Sequence, residues 1–132
     1  MILSKCLSLL CSVGIASVSF QYNEPIVMTH CTPSIEPGIT VTVSDFHTKL
    51  PLEAKIIVSD QNFQEELQLS AVTAAGEVVY GGVFERPGVY TISTFKDGYE
   101  NSIVQNVEVT QGECHVMTRK IHIKLKPLSL ES

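Results

Sequence analysis

The sequence predicts an all-β protein: an antiparallel-rich sandwich of about seven short strands around one core. Three observations carry this. Val, Ile and Thr recur along the chain, while no window holds a sustained apolar stripe at helical spacing. Ile39-Thr40-Val41-Thr42-Val43-Ser44-Asp45 alternates strictly, which puts Ile39, Val41 and Val43 on one face. Turn-forming residues punctuate the chain between such runs. With 132 residues and 44% apolar side chains, the chain can bury one core and does not read as disordered.

The first segment stands apart. Lys5 is the only charge before Glu24, and the run from Cys6 to Val18 is apolar or small throughout. That run is shorter than the roughly 20 residues a membrane-spanning helix needs. One basic residue, a short apolar core and then small residues describe a secretory signal peptide over residues 1–19. Cleavage is expected after Ser19, with Gly14-Ile15-Ala16 as the rival signal and an uncleaved anchor as the alternative. Cys6, Cys11 and Cys31 follow Lys5, Leu10 and His30, so no acylation signal is readable. The expected location is therefore exported, periplasmic or secreted.

Loss of Lys5 leaves eight basic residues against fourteen acidic ones, a net charge of −6. A mildly acidic surface with no basic run argues against nucleic acid and, once the signal is removed, against membrane as partners. Cys6 and Cys11 leave with the signal, so Cys31 and Cys114 remain. An even pair in an exported chain is most simply one disulfide; two buried free thiols are the alternative.

Residues 20–36 read as irregular, broken by Pro25 and Pro33, with Pro37 just beyond. The strand at 39–45 ends at Asp45, whose carboxylate can accept backbone N–H bonds in the following turn. A second strand spans 54–59, and Asp60-Gln61-Asn62 turns the chain. The next, at 65–69, places Leu67 and Leu69 inward. After Gly76 a strand spans 78–84, where Gly81-Gly82 marks a bulge or a close backbone approach. Pro87-Gly88 reads as a turn, and Tyr90, Ile92 and Thr94 share one face of the strand that follows. Asp97-Gly98 ends it. Strands at 103–109 and 115–125 complete the set, with Ile121, Ile123 and Leu125 toward the core. Residues 128–132 read as a tail.

Val41-Thr42-Val43-Ser44-Asp45, Leu50-Pro51-Leu52-Glu53-Ala54, Gly88-Val89-Tyr90-Thr91-Ile92, Gly98-Tyr99 and Ile121-His122-Ile123-Lys124-Leu125 together resemble a carboxypeptidase regulatory-like domain. The resemblance covers residues 37–127 and implies a seven-stranded transthyretin-like (prealbumin-like) sandwich. Cys31, Glu85-Arg86-Pro87-Gly88 and Cys114-His115-Val116 resemble, more narrowly, small exported bacterial proteins of that fold with no assigned activity. The first turn departs from the family's Thr-Gly and reads His47-Thr48-Lys49. The resemblance further implies that the first and last strands lie side by side and parallel. Cys31 and Cys114 would then reach one end of the sandwich, which supports a bridge between them.

No Gly-x-Ser-x-Gly elbow and no Gly-rich phosphate loop is present. Hydroxyisourate hydrolases share the implied fold but end in Tyr-Arg-Gly-Ser, whereas this chain ends Leu128-Ser129-Leu130-Glu131-Ser132. No catalytic residue and no cofactor is therefore assigned. Glu85, Arg86 and His115 form the candidate binding surface, with Glu85 and Arg86 read either as a binding pair or as ion-pair support for their turn. Met28, His30, His115 and Met117 cluster near the two cysteines in sequence, and imidazole with thioether suits copper. The expected function is a non-catalytic accessory module for a protein in the cell envelope. A metal-binding protein and a glycan-binding module are the alternatives. Intact-mass measurement of the exported protein is expected to find the residues before about Phe20 removed; a mass that still includes Met1 to Val18 would overturn the cleaved-signal reading.

Overall fold

Strict alternation along residues 39–45 decides the centre of the first sheet. The computed structural model describes residues 30–129, so the expected signal peptide, residues 20–29 and Met28 lie outside the described residues. Within them there is no helix, and nine strands form: β1 (Ile39–Asp45), β2 (Lys55–Ser59), β3 (Gln64–Glu66), β4 (Gln68–Val72), β5 (Val78–Gly82), β6 (Gly88–Phe95), β7 (Ser102–Gln111), β8 (Val116–Met117) and β9 (Arg119–Leu125). Two sheets result, ordered β4-β5-β1-β9 and β3-β2-β6-β7-β8. β1 pairs antiparallel with β5 and parallel with β9, in register from Ile39 opposite Arg119 to Asp45 opposite Leu125.

The core follows the predicted alternation. Ile39, Val41 and Val43 of β1, Ile56 and Val58 of β2, Tyr90 and Ile92 of β6, and Ile123 and Leu125 of β9 are all buried. Each such side chain contributes roughly 1.5–3 kcal/mol on burial. Gly81-Gly82 marks neither a bulge nor a close backbone: side chains crowd Gly82, where a Cβ would meet Leu67 Cδ2 at 2.4 Å, and the ladder shifts register between Leu69 and Ala71 instead. Asp45 behaves as its position implies. Its Oδ1 accepts the His47 and Thr48 N–H groups at 2.7 and 2.8 Å, and Tyr99 O–H donates to Oδ2 at 2.7 Å. The Thr48 N–H first, then the Tyr99 hydroxyl, holds its carboxyl down at about 2. Lys49, at φ 67°, supplies the left-handed corner for which the turn has no glycine.

Four further expectations need correction. The run at 65–69 is not one strand: β3 and β4 belong to different sheets, joined through buried Leu67. Leu67 N–H still bonds Ile56 O at 2.9 Å, after which the chain crosses to the edge of the other sheet. Leu69 consequently sits on that edge, 62% exposed rather than inward. The run at 115–125 likewise breaks at Thr118, whose hydroxyl donates to Pro37 O at 2.7 Å, so β8 pairs β7 while β9 pairs β1. These two sheet changes turn the seven expected strands into nine among the described residues. The reversal before β6 comes earlier than Pro87-Gly88: Arg86 N–H bonds Val83 O at 3.2 Å, and Gly88 is already the first residue of β6. Finally, Leu128 of the expected tail is tied down by its N–H to Gly98 O at 2.9 Å.

One buried side-chain polar atom is unmatched among the described residues. Thr94 Oγ1 lies on the core face of β6 with no hydrogen-bond partner. Leaving such a group unsatisfied costs about 1–3 kcal/mol. Denaturant melts are thus expected to separate two neighbours on one face. Ile92→Ala should lose about 2–5 kcal/mol. Thr94→Val, which keeps the shape and removes the hydroxyl, should gain about 1 kcal/mol. A destabilised Thr94→Val variant would mean the hydroxyl is satisfied.

Candidate functional site

The chain passes from the four-stranded to the five-stranded sheet through residues 83–86, and that crossover builds the site. Val83 and Glu85 both take left-handed backbone, at φ 44° and 50°. For residues other than glycine this costs on the order of 1–3 kcal/mol each and persists only where surroundings enforce it. Glu85 shows the enforcement. Its N–H donates to Glu36 O at 3.0 Å, and its carboxylate accepts the Glu36 N–H at 2.9 Å and the Val116 N–H at 3.1 Å. His115 Nδ1 lies 2.6 Å from Glu85 Oε2. The Glu36 N–H foremost, then His115 and Val116, outweighs the penalty of burial and holds the Glu85 carboxyl below its usual range.

Cys31 and Cys114 form a disulfide beside this carboxylate, between residues 83 positions apart. Closing a loop of that length contributes about 4–5 kcal/mol on the chain-entropy account. The bridge brings Thr32 to His115, whose Nε2 lies 3.0 Å from Thr32 Oγ1. Thr32 Oγ1 lies 2.8 Å from Ser34 Oγ, which donates to Glu36 Oε2 at 3.0 Å. His115 is thereby held at both ring nitrogens, by Glu85 and by Thr32, and Thr32 in turn by Ser34.

Arg86 faces the other way. Its Nη1 donates to Asp60 Oδ2 at 3.0 Å and to Tyr90 Oη at 2.8 Å, and its guanidinium lies 3.8 Å from the Phe63 ring centroid. Tyr90 O–H returns a bond to Arg86 O at 2.7 Å. The Asp60 contact leads in raising Arg86 and in lowering Asp60 from their ordinary values. Glu85 and Arg86 are therefore not paired with each other. Each supports the same turn through a separate set of partners.

Of the candidate residues, the structure joins Glu85 to His115 and Cys31 to Cys114, and sends Arg86 to Asp60. His30 and Met117 are exposed. Among the described residues no three His, Cys, Asp or Glu side chains converge to hold a metal. Both nitrogens of His115 are engaged, so a metal there would have to displace Glu85 or Thr32. Sequence reasoning missed Thr32, Ser34 and Glu36. Their signal was a hydroxyl-bearing irregular segment after Cys31, which gains meaning only once the bridge places it.

A carboxyl held low in the fold stabilises it above its unfolded value, and that contribution is lost as pH falls through the folded value. For Glu85 the loss begins below about 4.5, its ordinary value. Glu85→Gln is expected to lower the melting temperature at neutral pH and to flatten its decline below pH 4.5. A variant whose acid profile matches the unchanged protein would place the acid-sensitive group elsewhere.

No protein-family model matches the sequence, and no curated protein matches it at a significant level. The functional reading therefore rests on the site itself.

Proposed function

We propose that this chain is an exported, non-catalytic binding module of the carboxypeptidase regulatory-like, transthyretin-type class, and that it engages a protein at its disulfide end. One observation carries the reading. Ile35, Phe84 and Met117 are 66%, 48% and 58% exposed, and each directly adjoins a residue of the Glu85 hydrogen-bond set: Glu36, Glu85 and Val116. Large exposed apolar side chains around a rigid polar centre suit a protein partner, whose interfaces combine apolar contact with a few well-held hydrogen bonds.

Two further features support it. A disulfide is consistent with an extracellular or periplasmic location. β1 and β9 lie side by side and parallel, the arrangement the family resemblance implies. The order Glu85, His115, Thr32 superficially matches the carboxylate, imidazole and hydroxyl of nucleophilic catalysis. Both ends of that line are also held by further partners, Glu85 by the Glu36 and Val116 N–H groups and Thr32 by Ser34, which suits a fixed recognition surface.

Affinity capture from the extracellular or envelope fraction tests the proposal, using the full chain and two surface variants. A partner is expected to be retained by the unchanged protein and by Val72→Asp, on the exposed edge strand β4, and lost from Phe84→Asp. Equal capture by Phe84→Asp, or capture that depends on added copper, would overturn it.

A further inference from the structure

A second site lies on the outer face of the five-stranded sheet, at a defect in its ladder. β6 and β7 pair Tyr90 with Val107 but Ile92 with Val104, so Gln105 and Asn106 together stand opposite Thr91. This is a β-bulge, and such bulges re-aim side chains at strand faces near sites. Asn106 carries the distortion, at φ 62°. Beside it opens a groove of about 660 Å³ lined by Ser59, Gln61, Asn62, Val89, Thr91 and Asn106.

Its chemistry is narrow. Three primary amides and the Ser59 and Thr91 hydroxyls line it without a hydrogen bond within the described residues, while the third hydroxyl of the lining, Tyr90 Oη, is taken by Arg86. Asp60 is the one charged residue of the lining. Its Oδ2 is held by Arg86 at 3.0 Å and its Oδ1 by the Asn62 N–H at 2.8 Å, so its charge is matched from inside the fold. The loop bearing Gln61 and Asn62 thus rests on Asp60, and Asp60 on an Arg86 that is itself fixed by Tyr90 and Phe63. Val89 adds an exposed apolar surface beside the amides.

We propose that this groove binds a neutral oligosaccharide. Each primary amide offers a donor and an acceptor side by side, the complement of neighbouring hydroxyls that both give and take hydrogen bonds. A lining without unmatched charge discriminates against anionic ligands, and the support from Arg86 reduces the ordering cost of binding. A peptide would gain most of its affinity from main-chain pairing at a strand edge, whereas this groove offers side chains on a sheet face. The site is distinct from the disulfide end and stands or falls independently of the protein-binding role.

Isotope-labelled full-length protein can be titrated with maltohexaose, cellohexaose and chitohexaose, following the side-chain amide resonances of Gln61, Asn62 and Asn106. Oligogalacturonate and a Gly/Ser peptide serve as comparators. At least one neutral sugar is expected to shift all three amides saturably. Asn62→Ala and Asn106→Gly should each weaken that binding about tenfold or more. Glycine adopts the left-handed bulge conformation freely, so Asn106→Gly keeps the backbone while removing the amide; an unchanged melting temperature checks this. The inference is overturned by the absence of saturable shifts with all three sugars, or by shifts that map elsewhere. It is equally overturned by tighter binding of the acidic sugar or the peptide in the groove, or by variants that bind as the unchanged protein does.

Discussion

The crossover at residues 83–86 is the constraint on which the rest depends. It must reverse the chain and change sheets within a few residues, and it does so with two non-glycine residues in left-handed backbone. That conformation is unfavourable by itself. It persists because Glu85 is bonded to the segment before β1 and to β8, while Arg86 is bonded to Asp60 and Tyr90. Both sheets are thereby tied to one turn from opposite sides. Relaxing the turn would release the approach to β1, the start of β8 and the loop after β2 together.

This arrangement explains why the two candidate sites lie where they do. The disulfide end is organised by the Glu85 carboxylate and the amide-lined groove by the Arg86 guanidinium, so adjacent residues of one turn position separate surfaces. The bridge between Cys31 and Cys114 contributes chain-entropy stabilisation and also places Thr32 against His115. Neither Glu85 nor Arg86 is a lone surface charge. Each is surrounded by partners that hold its side chain still, which is what a rigid recognition surface requires.

Much of the fold was legible because a strand's side-chain period is two whatever it pairs with. Ile39, Val41 and Val43, then Tyr90 and Ile92, then Ile123 and Leu125 could be placed on the core face from alternation alone, and all are buried. Asp45 was readable as a turn residue because its bonds to His47 and Thr48 are local. The candidate sites were legible only in part. Glu85 and His115 stood out as charged or titratable residues beside a turn and a cysteine. Gln61, Asn62 and Asn106 did not, since an amide in a loop or on a strand face carries no signal until a groove gathers several.

By itself, then, the sequence determined the all-β class, the core-facing residues of its central strands and the two cysteines available for a bridge. These depend on local periodicity and composition, which need no knowledge of partners. Tertiary structure decided where strands change sheets. An extended run through Leu67 or Thr118 looks the same whether or not its neighbour changes, and only the closing of two sheets over one core selects the break. Tertiary structure also decided which side chains meet. Thr32 and His115 are 83 residues apart, and their contact exists because the parallel pairing of β1 with β9 and the disulfide bring both to one end of the sandwich.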